Sequence, residues 1–337
     1  IMVDDNIGIY QGFVHTLYEF YKEHYNTMLE SQFRKKFNKY LAHINKGVKG
    51  NTRELSKKGK IKKIGLVVKK VYLVYVYRKM VLNKEMNEDG GFYHYIQKRP
   101  IRNMSGVNSF AILLPPYPME DGDDFNGCRH NCYYCPDQTR KNGANVDIAR
   151  SYLLKEPAVQ RGYRCDWDAY AQMDDRMNSL VIQGHKVDKL ELIIEGGTYT
   201  EYPMEFLETF QRDIFYAANV FCDDKINITD TDNTDAGIDI EIDEKSHKRK
   251  RLTLQEEINI NITGRVRIIG ICIETRPDAI TDDWIRFFRT TGTTRIQLGV
   301  QHTNNRILKK INRGHTFEQS CEAVTRLRDN CFKIDIH

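Results

Sequence analysis

The chain has 337 residues, of which 40% are hydrophobic and 29% charged, with a formal net charge of +5. This length accommodates one large α/β domain and a smaller one, and the composition is that of an ordinary soluble globular protein. No apolar run reaches the ~18 residues that cross a bilayer, which excludes a membrane protein, and without an evident signal peptide we expect a cytoplasmic location with reduced cysteines.

The N-terminal part of the chain is strongly basic. Residues 1–45 are predicted to be helical, residues 46–63 form a basic linker, and residues 67–82 fit either a strand or a helix. Between Arg34 and Lys84, 17 lysines and arginines accompany a single acidic residue. The alternative to a functional basic region is a solvated charge run or a flexible arm.

Aromatic residues are interleaved with these cations: Phe33, Phe37, Tyr40, Tyr72, Tyr75 and Tyr77. Basic side chains release counterions when they bind a phosphate backbone, and aromatic rings can stack on unpaired bases. This combination predicts that the N-terminal region binds nucleic acid.

A predicted strand, Phe110 to Leu114, precedes three cysteines at CxxxCxxC spacing, which are Cys128, Cys132 and Cys135. Three thiolates can hold three irons of a [4Fe–4S] cluster and leave the fourth iron open to a ligand, whereas four cysteines would make a closed electron-transfer centre. The spacing therefore indicates a cluster that performs chemistry.

A structural zinc site is the main alternative for these cysteines. Zinc usually takes four ligands from two paired motifs, and the chain has no second CxxC. His130 could serve as the fourth ligand, although it lies inside the cysteine run. The other five cysteines are scattered singly, as small buried hydrophobes usually are: Cys165, Cys222, Cys272, Cys321 and Cys331.

The rest of the chain alternates predicted strands with predicted helices. Such alternation indicates parallel βα units, in which the C-terminal ends of the strands carry the active site. The predicted strands are residues 190–194, 266–273, 295–300 and 332–336, and the predicted helices are residues 158–183, 204–221, 282–290 and 317–328. Residues 222–252 are polar and low in complexity, which indicates a surface insertion or disordered loop, or else a docking segment.

Two of these strands end in residues suited to a ligand. Gly196 and Gly197, followed by Thr198, would let the backbone approach a nucleotide-like ligand closely, or would form a plain βα turn. Glu274 could bond a ribose hydroxyl or a cationic amine, or could form a salt bridge with Arg276.

This order of cysteine loop and strand ends resembles the radical S-adenosylmethionine enzymes. The resemblance implies that the amine and carboxylate of S-adenosylmethionine chelate the open iron, and that reductive cleavage yields a deoxyadenosyl radical. The α/β fold that it implies is a partial (βα) TIM-like radical SAM barrel over residues 99–337, truncated, after a basic and mostly helical region over residues 1–98.

From about residue 64 to its end, the sequence also resembles the catalytic subunit of Elongator, the tRNA uridine 5-carboxymethyltransferase family. The motifs follow in that family's order: Arg99 to Val107, Glu156-Pro157-Ala158, Gly184 to Lys189, Gly196-Gly197-Thr198, Ile273 to Asp278, Leu298 to Gln301 and Asn312 to Thr316. The resemblance implies that S-adenosylmethionine and acetyl-CoA serve to modify the wobble uridine of tRNA, with an acetyl radical adding to C5.

Carried over by motif, the resemblance implies three groups of site residues: Cys128, Cys132 and Cys135 for the cluster; Gly196, Gly197, Thr198, Glu274 and Gln301 for S-adenosylmethionine; and Lys189 for acetyl-CoA. The glycines and Thr198 would face the methionine amine. Residues 1–98 would bind the anticodon loop of tRNA, with the target base flipped out. Other Elongator-type subunits are further partner candidates.

Three features depart from the family's pattern. Many relatives space the first two cysteines more widely, Asp137-Gln138 replaces the usual glycines, and the C-terminal acetyltransferase-like domain and last barrel strands are absent. A start without Met and an end within a predicted strand also suggest a fragment. The alternatives are another radical S-adenosylmethionine enzyme that does not use acetyl-CoA, and a non-catalytic tRNA-binding remnant.

Overall fold

The computed structural model describes residues 7–48, 53–55, 61–63, 69–97, 104–116, 127–139, 143–221, 242–243 and 248–337. These residues divide into two compact units. The first unit contains the described residues up to Ser105 together with residues 178–186, and the second contains the remaining described residues. The predicted boundary between residues 98 and 99 lies next to this division, within a stretch outside the described residues, and stays a prediction.

The first unit is mostly helical, as the sequence predicts. Its elements are helices α1 (Ile7–His24), α2 (Glu30–Val48), α3 (Lys70–Leu82) and α4 (Gly90–Ile96), with a short antiparallel pair of strands, β1 (Arg53–Leu55) and β2 (Ile61–Lys63). The ambiguous stretch from residue 67 is helical from Lys70, because Leu73, Val76, Tyr77 and Met80 recur at helical spacing and all four are buried.

Aromatic side chains form the core of this unit. Phe33 and Phe37 are fully buried, and the ring of Phe33 packs edge-on against that of Tyr95 at 4.8 Å between centroids. Tyr77 is buried in the same cluster. Three of the rings that suggested base stacking therefore stabilise the fold instead, since large aromatic side chains supply most of the apolar area that a small helical unit can bury.

The second unit is built around a parallel sheet. Its elements in chain order are β3 (Asn108–Leu113), α5 (Pro157–Arg164), α6 (Ala169–Ile182, whose residues from 178 onward belong to the first unit), β4 (Lys189–Glu195), α7 (Met204–Asn219), β5 (Ile242–Asp243), β6 (Lys248–Arg249), α8 (Leu254–Thr263), β7 (Arg267–Thr275), α9 (Asp282–Thr290), β8 (Arg295–Leu298), α10 (Asn305–Lys310), α11 (Phe317–Asp329) and β9 (Lys333–Ile336). The described five-stranded sheet has the order β3-β4-β7-β8-β9, and every pairing in it is parallel. This is the α/β arrangement that the alternation predicts.

The two faces of the sheet differ in polarity. On one face Leu192, Ile194, Ile273 and Ile296 are all buried, and helices α7, α8 and α11 pack against the sheet. On the other face, polar side chains are concentrated toward β8 and β9, where the register pairs Glu274 with Gln297 and then with Asp335. Because side chains alternate along a strand, the apolar residues build the core and leave the polar ones facing the interior of a partial barrel.

One predicted helix, residues 158–183, is wrong as a single element. The chain forms α5 and α6 instead, separated by a turn in which Asp166 and Trp167 have φ angles of +50° and +57°. The amide of Trp167 donates to the carbonyl of Gly162 at 2.8 Å, and Asp168 caps α6 by accepting from the amide of Ala171 at 2.7 Å. The break occurs because the buried indole folds back onto Gly162, where a side chain would collide with the ring.

Three helices were not predicted: α4, α8 and α10. Helix α8 begins with a capping box, in which Thr253 and Glu256 each accept from the other's backbone amide. That pattern is readable from the sequence. Most of the predicted insertion at residues 222–252 lies outside the described residues, apart from the short strands β5 and β6 and the residues that follow them. None of the described helices is long and apolar enough to cross a membrane.

Strand β3 lies at the edge of the described sheet, and the contact that covers this edge provides a test of the fold. The side chain of Gln172 is completely buried, accepts from the amide of Leu113 at 2.9 Å and donates to its carbonyl at 2.9 Å. Replacing Gln172 with Ala leaves both backbone groups unsatisfied, so we expect a loss of roughly 2–4 kcal/mol in the free energy of unfolding. Urea unfolding measures this loss, and Gln255→Ala, at an exposed position on α8, should change it by less than about 0.5 kcal/mol.

Candidate active site

A cavity of about 240 Å³ lies at the carboxyl ends of the parallel strands, within the second unit. Parallel strands bring their carboxyl ends to one edge of a sheet, so residues far apart in the sequence meet there. Of the nine predicted site residues, seven line this cavity: Cys128, Cys132, Cys135, Gly197, Thr198, Glu274 and Gln301. The structure thus brings most of the predicted site together, and the role of each residue stays a prediction.

The cysteine loop is joined to the end of β4 by direct backbone contact. The amide of Thr198 donates to the carbonyl of Gly127 at 2.7 Å, one residue before the first cysteine. A Cβ atom on Gly197 would lie 1.9 Å from the Gly127 oxygen, and Gly197 has a φ of +65°. Glycine is required at this strand end because two backbones touch.

Gly196 contacts a different segment of the chain from Gly197. It does not line the cavity, and a Cβ atom there would lie 2.9 Å from the Cβ of Leu114, just beyond β3. The pair of glycines that suggested close approach to a ligand therefore also serves close approach between segments of the chain itself.

The three cysteine sulfurs face one cavity but contact different groups. The hydroxyl of Thr198 donates to Cys128 Sγ at 3.2 Å, and Cys135 Sγ donates to Ser151 Oγ at 3.3 Å. Cys132 is buried, with the guanidinium groups of Arg276 and Arg313 beside its sulfur. Burial raises the pKa of the Cys128 thiol, and the Thr198 hydrogen bond opposes that shift. Each sulfur is thus oriented by its own partner.

The segment after α10 holds the cysteine loop from the opposite side. The amide of Tyr133 donates to the carbonyl of Ile311 at 3.1 Å, and the side chain of Asn312 donates to the carbonyl of Asn131 at 2.7 Å. Asn131 also accepts from Arg150 at 2.6 Å. The Asn312 to Thr316 motif, noticed in the sequence only as part of a resemblance, therefore supports the loop.

Glu274 is the one acidic residue among those that line the cavity. The hydroxyl of Tyr152 donates to the carboxylate of Glu274. The predicted alternative, a salt bridge from Glu274 to Arg276, does not form, because Arg276 pairs with Asp278 at 3.0 Å. Burial, with Glu274 beside it, raises the pKa of Tyr152 far above its usual range. A carboxylate held in this way can accept a hydrogen bond from a hydroxyl or a cationic amine.

Glu195, the last residue of β4, is a second acidic residue at the strand ends, and it was missed by the sequence reasoning. Burial, followed by the charges of Glu274 and Glu156, raises the pKa of Glu195 to about 7. Glu195 directly precedes the glycine pair at a strand end, which is the signal that could have identified it. Arg276 and Arg313 were also missed as site residues, although both lie within motifs that the resemblance had marked.

Gln301 and Lys189 have contrasting positions. Gln301 lines the cavity with a φ of +71°, and its amide donates to the carbonyl of His337 at 2.7 Å. Lys189 begins β4, whereas the cavity lies past the other end of that strand, about 20 Å away at the usual rise of a strand. Lys189 is thus not brought to the cavity, and its contact with acetyl-CoA stays a prediction.

His130, the candidate fourth zinc ligand, lines the cavity, and its Nε2 atom lies 3.3 Å from Oε1 of Glu201. Among the residues described in the structure, no group of three or more His, Cys, Asp or Glu side chains is arranged to hold a metal ion.

The profile of the radical SAM superfamily matches residues 124–336. The tRNA uridine(34) acetyltransferase of Methanocaldococcus infernus is 31% identical over 242 residues, which cover 72% of this chain and 38% of that protein. Elongator complex protein 3 of Bos taurus is 29% identical over 245 residues, with coverage of 72% and 38%.

Among solved structures, the Methanocaldococcus infernus Elp3 with an N-terminal deletion matches 69% of this chain and 37% of that chain, with 25% identity and a TM-score of 0.46. The chain spans about two fifths of the length of the curated relatives that it matches.

The contact between Gly127 and Gly197 can be tested by adding one methyl group. In Gly197→Ala the new Cβ collides with the Gly127 carbonyl, so we expect the cysteine loop to detach, with faster labelling of Cys128 by a thiol reagent and a loss of about 2–4 kcal/mol in stability. Gly143→Ala is the matched control, since Gly143 has a φ of +81° with nothing within 4 Å. Equal labelling rates in the two variants would contradict the contact.

The pKa of Glu195 predicts a dependence of stability on pH. Because its folded-state pKa is raised from 4.5 to about 7, the stability that it contributes is present below pH 4.5 and is lost as the pH rises through 7. Relative to Glu195→Gln, the free energy of unfolding of the unmodified protein should fall between pH 5 and pH 8, as measured by urea unfolding at both values. Glu208→Gln, at an exposed site on α7, should show no such trend.

Proposed function

Because this chain belongs to the radical SAM superfamily, we propose that it modifies C5 of the wobble uridine of tRNA, with S-adenosylmethionine as radical source and acetyl-CoA as co-substrate. The observation that carries the proposal is the meeting of the CxxxCxxC sulfurs with Gly197, Thr198, Glu274 and Gln301 in one cavity. The names of the curated relatives, tRNA uridine(34) acetyltransferase and Elongator complex protein 3, indicate the substrate.

The residues present fit a [4Fe–4S] cluster with one open iron. Three cysteines, and no fourth among the lining residues, supply soft thiolate ligands in one cavity. Each would bind a different iron of the cluster, so the three sulfurs need not converge on a single metal ion, and among the described residues they do not. When bound, the cluster and S-adenosylmethionine supply the one-electron chemistry that begins the reaction. Cys128, Cys132 and Cys135 would hold the cluster, and the loop contacts at Gly127 and Asn131 would keep them in place.

The other cavity residues would bind the cationic cofactor. Glu274, fixed by the Tyr152 hydroxyl, offers a carboxylate to an ammonium group or a ribose hydroxyl. Gly197 and Thr198, which line the cavity, would face the methionine amine. The carboxylate of Glu274 thus makes this side of the cavity suited to a positively charged ligand.

The first unit would bind the tRNA. On α2, Lys35, Lys36 and Lys39 are exposed on the same helix whose Phe33 and Phe37 are buried. Exposed cations of this kind contact phosphates without regard to sequence. We include in the proposal that the chain works with other Elongator-type subunits, because one group of relatives carries that name.

A second candidate is a radical enzyme that does not use acetyl-CoA. The position of Lys189, at the end of β4 away from the cavity, favours it. Incubating the reconstituted chain with tRNA, S-adenosylmethionine, reductant and acetyl-CoA, followed by nucleoside analysis, separates the two candidates. Carboxymethyluridine formed only when acetyl-CoA is present supports the proposal, whereas a modification independent of acetyl-CoA supports the second candidate.

The cluster assignment is tested first. After anaerobic reconstitution and reduction, the unmodified chain should bind iron and convert S-adenosylmethionine to 5′-deoxyadenosine, and Cys132→Ala should reduce that product to background because one iron loses its ligand. Cys321→Ala, at an exposed position on α11, is the matched control and should match the unmodified chain. Undiminished 5′-deoxyadenosine from Cys132→Ala would show that the cluster assignment is wrong.

A further inference from the structure

Two buried guanidinium groups face the sulfur of Cys132. Arg276 is 1% exposed and Arg313 7%, and Cys132 between them is 4% exposed. The Nη1 atom of Arg276 lies 3.8 Å from Cys132 Sγ, and that of Arg313 lies 3.6 Å away. Cys128 and Cys135 have hydroxyl partners, and Cys132 has the hydroxyl of Tyr134, but only Cys132 among the three is also contacted by two guanidinium groups.

Arg276 is held rigidly by its other contacts. Its Nε and Nη2 atoms donate to the two carboxylate oxygens of Asp278, each at 3.0 Å, and Nη2 also donates to the carbonyl of Arg313 at 2.6 Å. A Cβ atom on Gly314 would lie 3.2 Å from that Nη2, so the glycine leaves room for the guanidinium. These contacts leave Nη1 directed at the sulfur.

Arg313 is fixed in the same way but without a carboxylate. Its Nε donates to His315 Nε2 at 3.1 Å and its Nη2 to the carbonyl of Gly299 at 2.6 Å. A Cβ atom on Gly299 would lie 2.6 Å from Nη2, so this glycine too makes room for an arginine. Within the described part of the chain, no carboxylate forms a salt bridge with Arg313.

A buried cation without an anion is costly, because the guanidinium has lost its hydration. Asp278 offsets one of the two positive charges, which leaves one in excess at Cys132. A neutral thiol cannot balance that charge, whereas a thiolate bound to iron can. The arrangement is therefore complementary to an anionic cluster.

We infer that Arg276 and Arg313 are positioning residues that hold the Cys132 thiolate and raise the reduction potential of the cluster. Hydrogen bonds to the sulfurs and nearby positive charge both favour addition of an electron to an iron–sulfur cluster. The inference rests on the cluster that the superfamily requires, and it is independent of tRNA and of acetyl-CoA.

The test is a redox titration of the reconstituted chain, followed by electron paramagnetic resonance, without S-adenosylmethionine or tRNA. Arg313→Gln should shift the midpoint potential to a more negative value, because it removes the uncompensated charge. Arg313→Lys keeps the charge, so its midpoint potential should stay close to that of the unmodified chain. Arg286→Gln removes one positive charge from a side chain that is 75% exposed, and it should leave the potential unchanged.

Several outcomes would overturn the inference. An unchanged potential in Arg313→Gln would do so, and if that variant also bound S-adenosylmethionine more weakly, Arg313 would be assigned to the carboxylate of that cofactor. Equal shifts in the Gln and Lys variants would show that the shape of the side chain, rather than its charge, is what matters. Arg313→Gln could fail to load iron although its circular dichroism shows an unchanged fold. In that case, normal iron content in Arg313→Lys would support the inference, and loss of iron from both variants would refute it.

Discussion

The hydrogen bond from the Thr198 amide to the Gly127 carbonyl is the constraint on which the candidate site depends. It joins the cysteine loop to the end of β4 at 2.7 Å, and it forms only because Gly127 and Gly197 bring two backbones into contact. The described residues of the loop between β3 and α5 form no helix or strand. This contact sets the position of the first cysteine relative to the end of β4, and the contacts of Asn131 and Tyr133 hold the rest of the loop.

The cavity that results is divided electrostatically. Arg276 and Arg313 place positive charge at Cys132, whereas the carboxylate of Glu274 lines the cavity at the end of β7. The sheet register places Glu274 beside Gln297, whereas the two arginines come from segments that follow β7 and α10. An anionic cluster would lie beside the two arginines, and a cationic cofactor would lie beside Glu274. Each charged group would then face a group of opposite charge.

In the first unit, aromatic and basic residues that are neighbours in the sequence lie on different faces of a helix. Its aromatic residues and its cations occur together in the sequence, but the structure separates them on α2, where Phe33 and Phe37 are buried and Lys35, Lys36 and Lys39 are exposed. An amphipathic helix is stable only when its apolar face is buried, so these two rings lie in the core. The cations remain available for phosphate groups.

The sequence by itself determined the cysteine triplet, the βα alternation and six of the residues that line the cavity, because spacing and strand-end position are local properties of a chain, whereas Gln301 was implied only by the family resemblance. Only the tertiary structure decided that Gly196 and Gly197 serve packing within the protein, that Arg276 and Arg313 converge on Cys132, and that Glu274 takes Tyr152 as its partner. It also separated α5 from α6 through the folded-back Trp167. These features depend on contacts between residues far apart in the sequence, which no local pattern encodes.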